Sequence, residues 1–399
     1  MDGDGLTSTR QPACGHAGSN RKMKIIVALD SLKGSLDATN ACKIIGATIH
    51  EVVPSAEIVL RPLADGGEGT AEILLSACGG EWIPVQAMGP LPHLQIDAGY
   101  AALARPDRIV VDMAEASGLT LLREDQRDPL RTTTFGTGEL IADAFVKNRP
   151  VWLAVGGSAT VDGGVGAAMA LGWKFLDAKQ NSIGFGGGQL EKIAKIIPPP
   201  QHAWPEVEVL CDVTNPLCGP NGAAKIFGPQ KGATPTAVEK LERGLLHLAE
   251  IIHRDLGIDV LSLAGGGAAG GLGAGAVAFF GAKIKPGIAT IIEAVGLRDE
   301  LRDADWIITG EGSFDSQSLG GKVVSGVIAA AREAGVKVGV LAGRIGLDDD
   351  ACRAAGIDAT HALVTPLIQS DFAMTHVREL LAERAREFAV RNFAAGLRG

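Results

Sequence analysis

Aromatic residues are scarce in this chain: one tyrosine, five tryptophans and eleven phenylalanines among 399 residues. That scarcity fits a small, charged substrate, which gives little reason for an aromatic-lined pocket. Positive charge is also in deficit, with 37 Lys and Arg against 46 Asp and Glu and a net charge of −9. That balance argues against a broad basic surface for nucleic acid or anionic lipid, so an anionic substrate has to be met by local cations. The six cysteines contain no C-x-x-C pair, which points to reduced cytosolic thiols, a cytoplasmic location and no disulfide framework. Residues 1–22 have early acids and no apolar core, so they read as a disordered extension and not as a signal peptide or anchor. Only one uncharged stretch, Val260 to Ala282, is long enough to span a bilayer, and eight of its 23 residues are glycine, each unfavourable in a helix by about 1 kcal/mol relative to alanine. It reads as a buried glycine loop running into a helix.

Glycine is the residue in excess, 54 in all, against an average usage of roughly 7%. Half of them fall in four windows, 66–69, 156–188, 265–287 and 310–326, so the excess marks particular loops. With 46% hydrophobic residues the chain can bury a large core. Apolar β-branched runs such as KIIVALD (24–30), EIVLRPLA, EWIPVQAM, VWLAV, DWIITG (305–310), KVGVLAG (337–343) and DATHALV (358–364) alternate with helical patterns. Helices are expected near 36–52, with Ser35 as a cap, and near 68–78, 323–335, 350–355 and 371–393. This is the rhythm of parallel α/β architecture. The expected arrangement is a Rossmann-like α/β domain built from both chain ends, 23–92 and 291–396, with a second mixed α/β domain, 93–290, inserted and a cleft between the two.

Polar, glycine-rich motifs follow the strand patterns, at the sheet edge where ligands bind in open α/β folds. Asp30-Ser31-Leu32-Lys33-Gly34-Ser35 offers hydroxyls and a lysine, and Asp65-Gly66-Gly67-Glu68 offers a carboxylate beside backbone that a ligand can approach. VGGSATVDGGVG (155–166) carries Ser158, Thr160 and Asp162 in a turn suited to a phosphate or carboxylate. Asp212 and Asn215 are oxygen donors, and Lys225 and Lys231 phosphate partners, in a shaped loop over 211–234. Gly265-x-Gly267-x-x-Gly270 has dinucleotide spacing, but a segment with seven glycines in eleven residues produces it by chance. Glu311 and Asp315, four apart, suit Mg²⁺ held together with phosphate oxygens, with Lys322 to neutralise charge. A P-loop, a G-x-S-x-G elbow and zinc-type Cys/His spacing are all absent.

Taken in order, DSLKGSLDA (30–38), ADGGEGT (64–70), RDPLRTTTFGTGELI (127–141), GGSATVDGGVGAAMALG (156–172), CDVTNPLCGPNGAAKIFGPQKGAT (211–234), GGAAGGLGAG (266–275) and GEGSFDSQSLGGK (310–322) resemble the bacterial-type glycerate kinase family from about Met23 to Phe393. The resemblance implies two α/β domains and a Mg²⁺-dependent site between them. It also implies ATP-dependent phosphorylation of D-glycerate, usually to 2-phosphoglycerate, with some relatives making the 3-phosphate. Local departures are Ser316 where relatives often have glycine, Val323-Val324 where Ala-Pro is common, and the 22-residue head. On this reading Lys33, Asp65 and Asp212 are catalytic, Lys33 and Arg127 neutralising charge and one of the two aspartates taking the hydroxyl proton. Ser31, Arg127, Ser158, Thr160, Asp162 and Asn215 bind substrate. Gly66, Gly67, Gly267, Gly270, Lys231 and Lys322 contact nucleotide, and Glu311 with Asp315 positions Mg²⁺. No nucleic-acid or membrane partner is expected, and a homodimer is compatible. The rivals from other classes are a nicotinamide-dependent oxidoreductase, which needs a strand immediately before Gly265, and a non-enzymatic binder of small carboxylates.

Overall fold

The computed structural model describes residues 21–393 apart from Lys33, Gln201, His202, Gln317 and Gly321. The extension expected over 1–22 therefore lies outside the described residues, except that the Arg21 guanidinium pairs with Asp305 at 2.5 Å.

Eleven strands form two sheets: β1 Lys24–Val27, β2 Glu57–Leu60, β3 Gly80–Met88, β4 Gln95–Leu103, β5 Ile109–Asp112, β6 Val151–Ala154, β7 Val207–Leu210, β8 Lys283–Lys285, β9 Trp306–Thr309, β10 Lys337–Ala342 and β11 Ala359–Ala362. The first sheet has the order β11-β10-β9-β1-β2, all parallel, so strands from both chain ends lie side by side. The second has the order β8-β7-β6-β5-β4-β3, parallel from β8 to β5 and antiparallel across β4 and β3. EWIPVQAM, grouped by sequence with the first block, thus belongs to the second sheet. Hydrophobic strand patterns say that a strand is buried, not which sheet buries it.

The first sheet is apolar on both faces, as parallel sheets covered by helices require. Alternation along β1 sends Ile25 and Val27 to one face, against Ile45, Ile49, Leu381 and Phe388, and Ile26 and Ala28 to the other. That second face is shared. Val110, Trp152 and Leu210 from the second sheet join Ile307 and Val338 from the first in one cluster, with Ile291, Val327 and Leu74 from helices between them. A single apolar layer therefore joins the sheets. At roughly 1.5–3 kcal/mol per fully buried aliphatic side chain it is a large part of what holds them in place.

Several helix ends differ from expectation for local reasons. The first helix is Ala38–Val52, capped by Asp37, whose carboxylate accepts from Asn40 N at 2.8 Å; Ser35 instead donates to the Leu32 carbonyl. The helical pattern near the C-terminus is two helices, Ser370–Thr375 and Val377–Asn392, parted at His376. Within Val260–Ala282 the glycine turn over 265–267 is buried and runs into helix Ala268–Phe280, whereas Leu261, Ser262 and Ala264 before it are exposed, and among the described residues no helix is long and apolar enough to cross a membrane.

Candidate functional site

In the first sheet the chain leaves β1 toward β2 on one side and β9 toward β10 on the other, so the loops after β1 and β9 part and leave a crevice. Such topological switch points are where open α/β sheets bind ligands. Here the crevice is a cavity of about 470 Å³. Its floor is tied by backbone bonds: Asp30 N donates to Gly310 O at 3.0 Å, and Gly343 N to Glu311 O at 3.1 Å. Gly310 cannot carry a side chain, since a Cβ there would lie 1.7 Å from the Leu341 carbonyl. Ser31, Asp65, Glu311 and Lys322 from the expected set line this cavity, and Lys322 Nζ lies 3.9 Å from Glu311 Oε2. Asp315 does not line it: its backbone N–H turns back to Ser318 Oγ at 3.1 Å. Lys33 lies outside the described residues.

The loop after β2 bridges the two sheets. At its start Leu63 N donates to Leu29 O at 2.9 Å, and three residues on Gly66 O accepts from Val155 N at 2.9 Å, beyond the end of β6. Gly66 and Gly67 serve this close approach. Added Cβ atoms would lie 2.9 Å from the Leu210 carbonyl and 3.2 Å from the Gly156 Cα. Asp65 is thereby held next to Asp212, at the end of β7; a Cβ on Gly287 would stand 3.1 Å from Asp212 Oδ2 and 3.2 Å from the Asp65 carbonyl. Burial pushes the Asp212 carboxyl up to about 6, and the nearby Asp65 charge adds to this against the opposing Ile288 N–H, 2.9 Å from Asp212 Oδ2. A half-buried carboxylate poised near neutrality is what a general base requires.

At the end of β6, Ser158 Oγ accepts from Lys231 Nζ at 2.6 Å, and the same ammonium reaches the Thr160 carbonyl at 2.7 Å. Lys231 is 2% exposed, and burial lowers its pKa to about 7. It is a buried brace on the Ser158 loop, not an open phosphate contact. Arg127 lies beside it, its carbonyl 2.3 Å from where a Cβ of Gly232 would be. Arg127 Nε and Thr160 Oγ1 are buried without a hydrogen-bond partner among the described residues, which is costly unless a ligand or water supplies one.

Four residues expected to meet ligand are used internally. Asp162, 1% exposed, accepts from Thr134 N at 2.8 Å, Thr134 Oγ1 at 2.9 Å, Gly164 N at 3.2 Å and Gly166 N at 3.3 Å, so it pins the Thr-rich loop to the glycine turn. Asn215 Nδ2 donates to the Asn221 carbonyl at 2.9 Å and braces its own loop. Gly270, at φ +66°, sits where a Cβ would be 2.0 Å from the Thr160 carbonyl, and a Cβ on Gly267 would be 2.3 Å from Pro216 O. This glycine segment follows helix Pro235–Leu256 with no strand between, so the dinucleotide spacing lacks its structural context.

Sequence reasoning quoted Asp30 in its first motif without giving it a role, and missed Arg344, which lines the cavity with it, and Asp112. Asp30 and Arg344 had a usable signal, since each lies just past a strand's carboxyl end. Asp112 is buried, its carboxyl pushed well up by burial, and accepts from Ala71 N at 3.1 Å, fixing the helix that begins after Gly69. Nothing local in the sequence marks that partnership, 41 residues apart.

Comparison with known proteins agrees with this architecture. Residues 25–392 match the model of the Glycerate kinase family. The chain is 42% identical to a glycerate kinase of Halalkalibacterium halodurans, over 92% of this chain and 97% of the relative. It is 40% identical to glycerate 2-kinase of Escherichia coli, over 94% and 99%. A crystal structure provisionally identified as glycerate kinase 2 of Salmonella typhimurium LT2 superposes with a TM-score of 0.77 at 41% identity, covering 94% of this chain and all of that one.

Proposed function

The chain belongs to the glycerate kinase family and is a kinase, and from that premise we propose that it transfers the γ-phosphoryl group of ATP to the 2-hydroxyl of D-glycerate in a cleft between two units, one per sheet. The observation that carries this reading is the junction of Asp65 and Asp212 with the crevice cavity. Phosphoryl transfer asks little covalent chemistry of a protein; positioning and charge neutralisation do most of the work.

Asp212 takes the proton of the attacking hydroxyl as the new O–P bond forms and the bond from Pγ to the bridging oxygen breaks, releasing ADP. Its pKa near 6 keeps it ionised at neutral pH yet basic enough to assist. Arg127, through its unpartnered Nε, and the Ser158–Thr160 turn braced by Lys231 meet the glycerate carboxylate. Lys322 and Arg344 face the triphosphate. Mg²⁺ binds through one or two carboxylates plus phosphate oxygens and water. Among the described residues no cluster of three or more His, Cys, Asp or Glu could hold a metal alone, and Glu311 with Asp65 on one cavity supplies the smaller number. Bound there, Mg²⁺ would offset the charge of the triphosphate. Regiochemistry is supported by the E. coli relative's name, glycerate 2-kinase.

The test is phosphorus NMR of a mixture of the protein, ATP, Mg²⁺ and D-glycerate. The expected result is a 2-phosphoglycerate resonance growing in step with ADP. Accumulation of 3-phosphoglycerate would overturn the regiochemistry, and consumption of no ATP would overturn the reaction.

A further inference from the structure

The cavity is too large for its most obvious tenant. A three-carbon acid would leave much of about 470 Å³ empty, whereas volumes of this order suit cofactor-sized ligands. Its lining also comes from two chemically different sources. The strand-end loops contribute Asp30, Ser31, Asp65, Glu311 and Lys322. The rest of the lining is largely aliphatic: Leu32 from the loop after β1, Leu363 and Val364 just past β11, and Ala373, Met374 and Val377 from the two C-terminal helices. Nothing in the chemistry of glycerate or phosphate uses such a wall.

We propose that this aliphatic half, beneath the short helix Ser370–Thr375, is the subsite for the purine base and ribose of the nucleotide, with the triphosphate running along the polar half toward Asp65. The proposal rests on the reading that the chain uses ATP and adds where, and in which direction, the nucleotide lies. Three features carry it.

The wall is rigidly built where it needs to be: Leu363, Ala373 and Val377 are 1%, 5% and 6% exposed, and Leu363 N and Val364 N donate to Ala342 O and Gly343 O at 2.9 and 2.8 Å. Met374, half exposed, closes the wall from the other side. Its Cε would lie 3.6 Å from a Cβ on Gly34, so it lies against the loop that follows β1. A thioether on a flexible stem suits the face of a heteroaromatic ring, since it is polarizable and adapts its shape. Finally, Arg344 Nη2 donates to Ser370 Oγ at 2.9 Å, tying the start of the covering helix to a cation at the cavity's polar side. One residue thus connects the base end to the phosphate end.

The orientation follows from desolvation. A triphosphate buried against aliphatic carbon would lose its hydration without replacement, and a purine placed among Asp30, Asp65 and Glu311 would force three carboxylates to give up water for little return. Reversing the ligand therefore costs at both ends.

The experiment is calorimetric titration of the full chain with ATP, adenosine, inorganic tripolyphosphate and D-glycerate, for the wild type, Ala373→Trp and Met374→Glu. Ala373→Trp fills the subsite. Met374→Glu, at a half-exposed position that tolerates a charge, makes it polar without filling the core. Each is expected to weaken ATP binding at least tenfold and remove detectable adenosine binding, with tripolyphosphate and D-glycerate affinities within twofold of wild type. ATP affinity unchanged in both variants would overturn the proposal, as would loss of tripolyphosphate or glycerate binding equal to that of ATP. The proposed reaction fails separately: if no phosphoglycerate forms but adenosine binding is lost in the variants, the subsite stands and the assigned reaction does not.

Discussion

The carboxyl edge of the five-stranded sheet opens into a cavity, whereas at the edge of the six-stranded sheet much of the equivalent space is filled by the protein's own backbone. Each edge presents an aspartate in a glycine-rich setting. Asp162 is saturated by donors from Thr134, Gly164 and Gly166, and its surroundings are close-packed to the point that Gly270 has no room for a methyl group. Asp212, where the two edges meet, accepts from Ile288 N–H at 2.9 Å and stands near a second carboxylate; burial raises the carboxyls of both Asp162 and Asp212, so the neighbouring Asp65 charge is what sets Asp212 apart. Ionised residues in glycine loops therefore divide by where their donors come from. Donors from several loops converging on one carboxylate make a staple, while two carboxylates held side by side make a place where a proton or cation is wanted.

That contrast can be broken by substitution. The largest effect is expected for Asp212→Asn, which removes the base while keeping the shape: kcat should fall by roughly 10²–10⁴-fold at unchanged melting temperature, measured by steady-state kinetics beside thermal unfolding. Asp162→Ala should do the reverse. Leaving buried donors of Thr134, Gly164 and Gly166 unpaired should cost about 3 kcal/mol in denaturant titrations, while the folded fraction retains near-normal turnover. Lys322→Gln, at a half-exposed cation lining the cavity, should raise KM for ATP about tenfold, or about 1.4 kcal/mol, without changing KM for D-glycerate. The smallest effect belongs to Gly257→Ala. Gly257 ends helix Pro235–Leu256 at φ +73° with open space around it, so only the left-handed backbone is penalised, by about 1 kcal/mol of stability and nothing in activity.

Much of the fold was legible because strand and helix periods are local. KIIVALD, DWIITG and KVGVLAG each became a parallel strand, and the motifs after the first two became cavity walls. Sheet membership was not legible, as Gly80–Met88 demonstrates, because a half-buried strand reads alike in either sheet. Asp65, Glu311 and Lys322, picked for their position after strands, line the cavity. Asp162 was misread because the threonine donors that satisfy it lie about thirty residues upstream. Lys231 was read as a phosphate contact because sequence shows its charge and not its burial. Arg344 and Met374 went unassigned because neither sits in a glycine motif, although both line the cavity.

Proton transfer to Asp212 requires that it be ionised when it acts, and the neighbouring Asp65 charge helps to set its pKa. The direct measurement is the pH profile of kcat/KM for wild type and Asp65→Asn, with the same ATP, Mg²⁺ and D-glycerate so that substrate titrations cancel. Since the base works as the carboxylate, the rate should fall as pH drops through about 6 in the wild type. Removing the Asp65 charge should move that inflection to lower pH. An inflection that stays in place in Asp65→Asn, or a wild-type profile flat from pH 5 to 7, would contradict it.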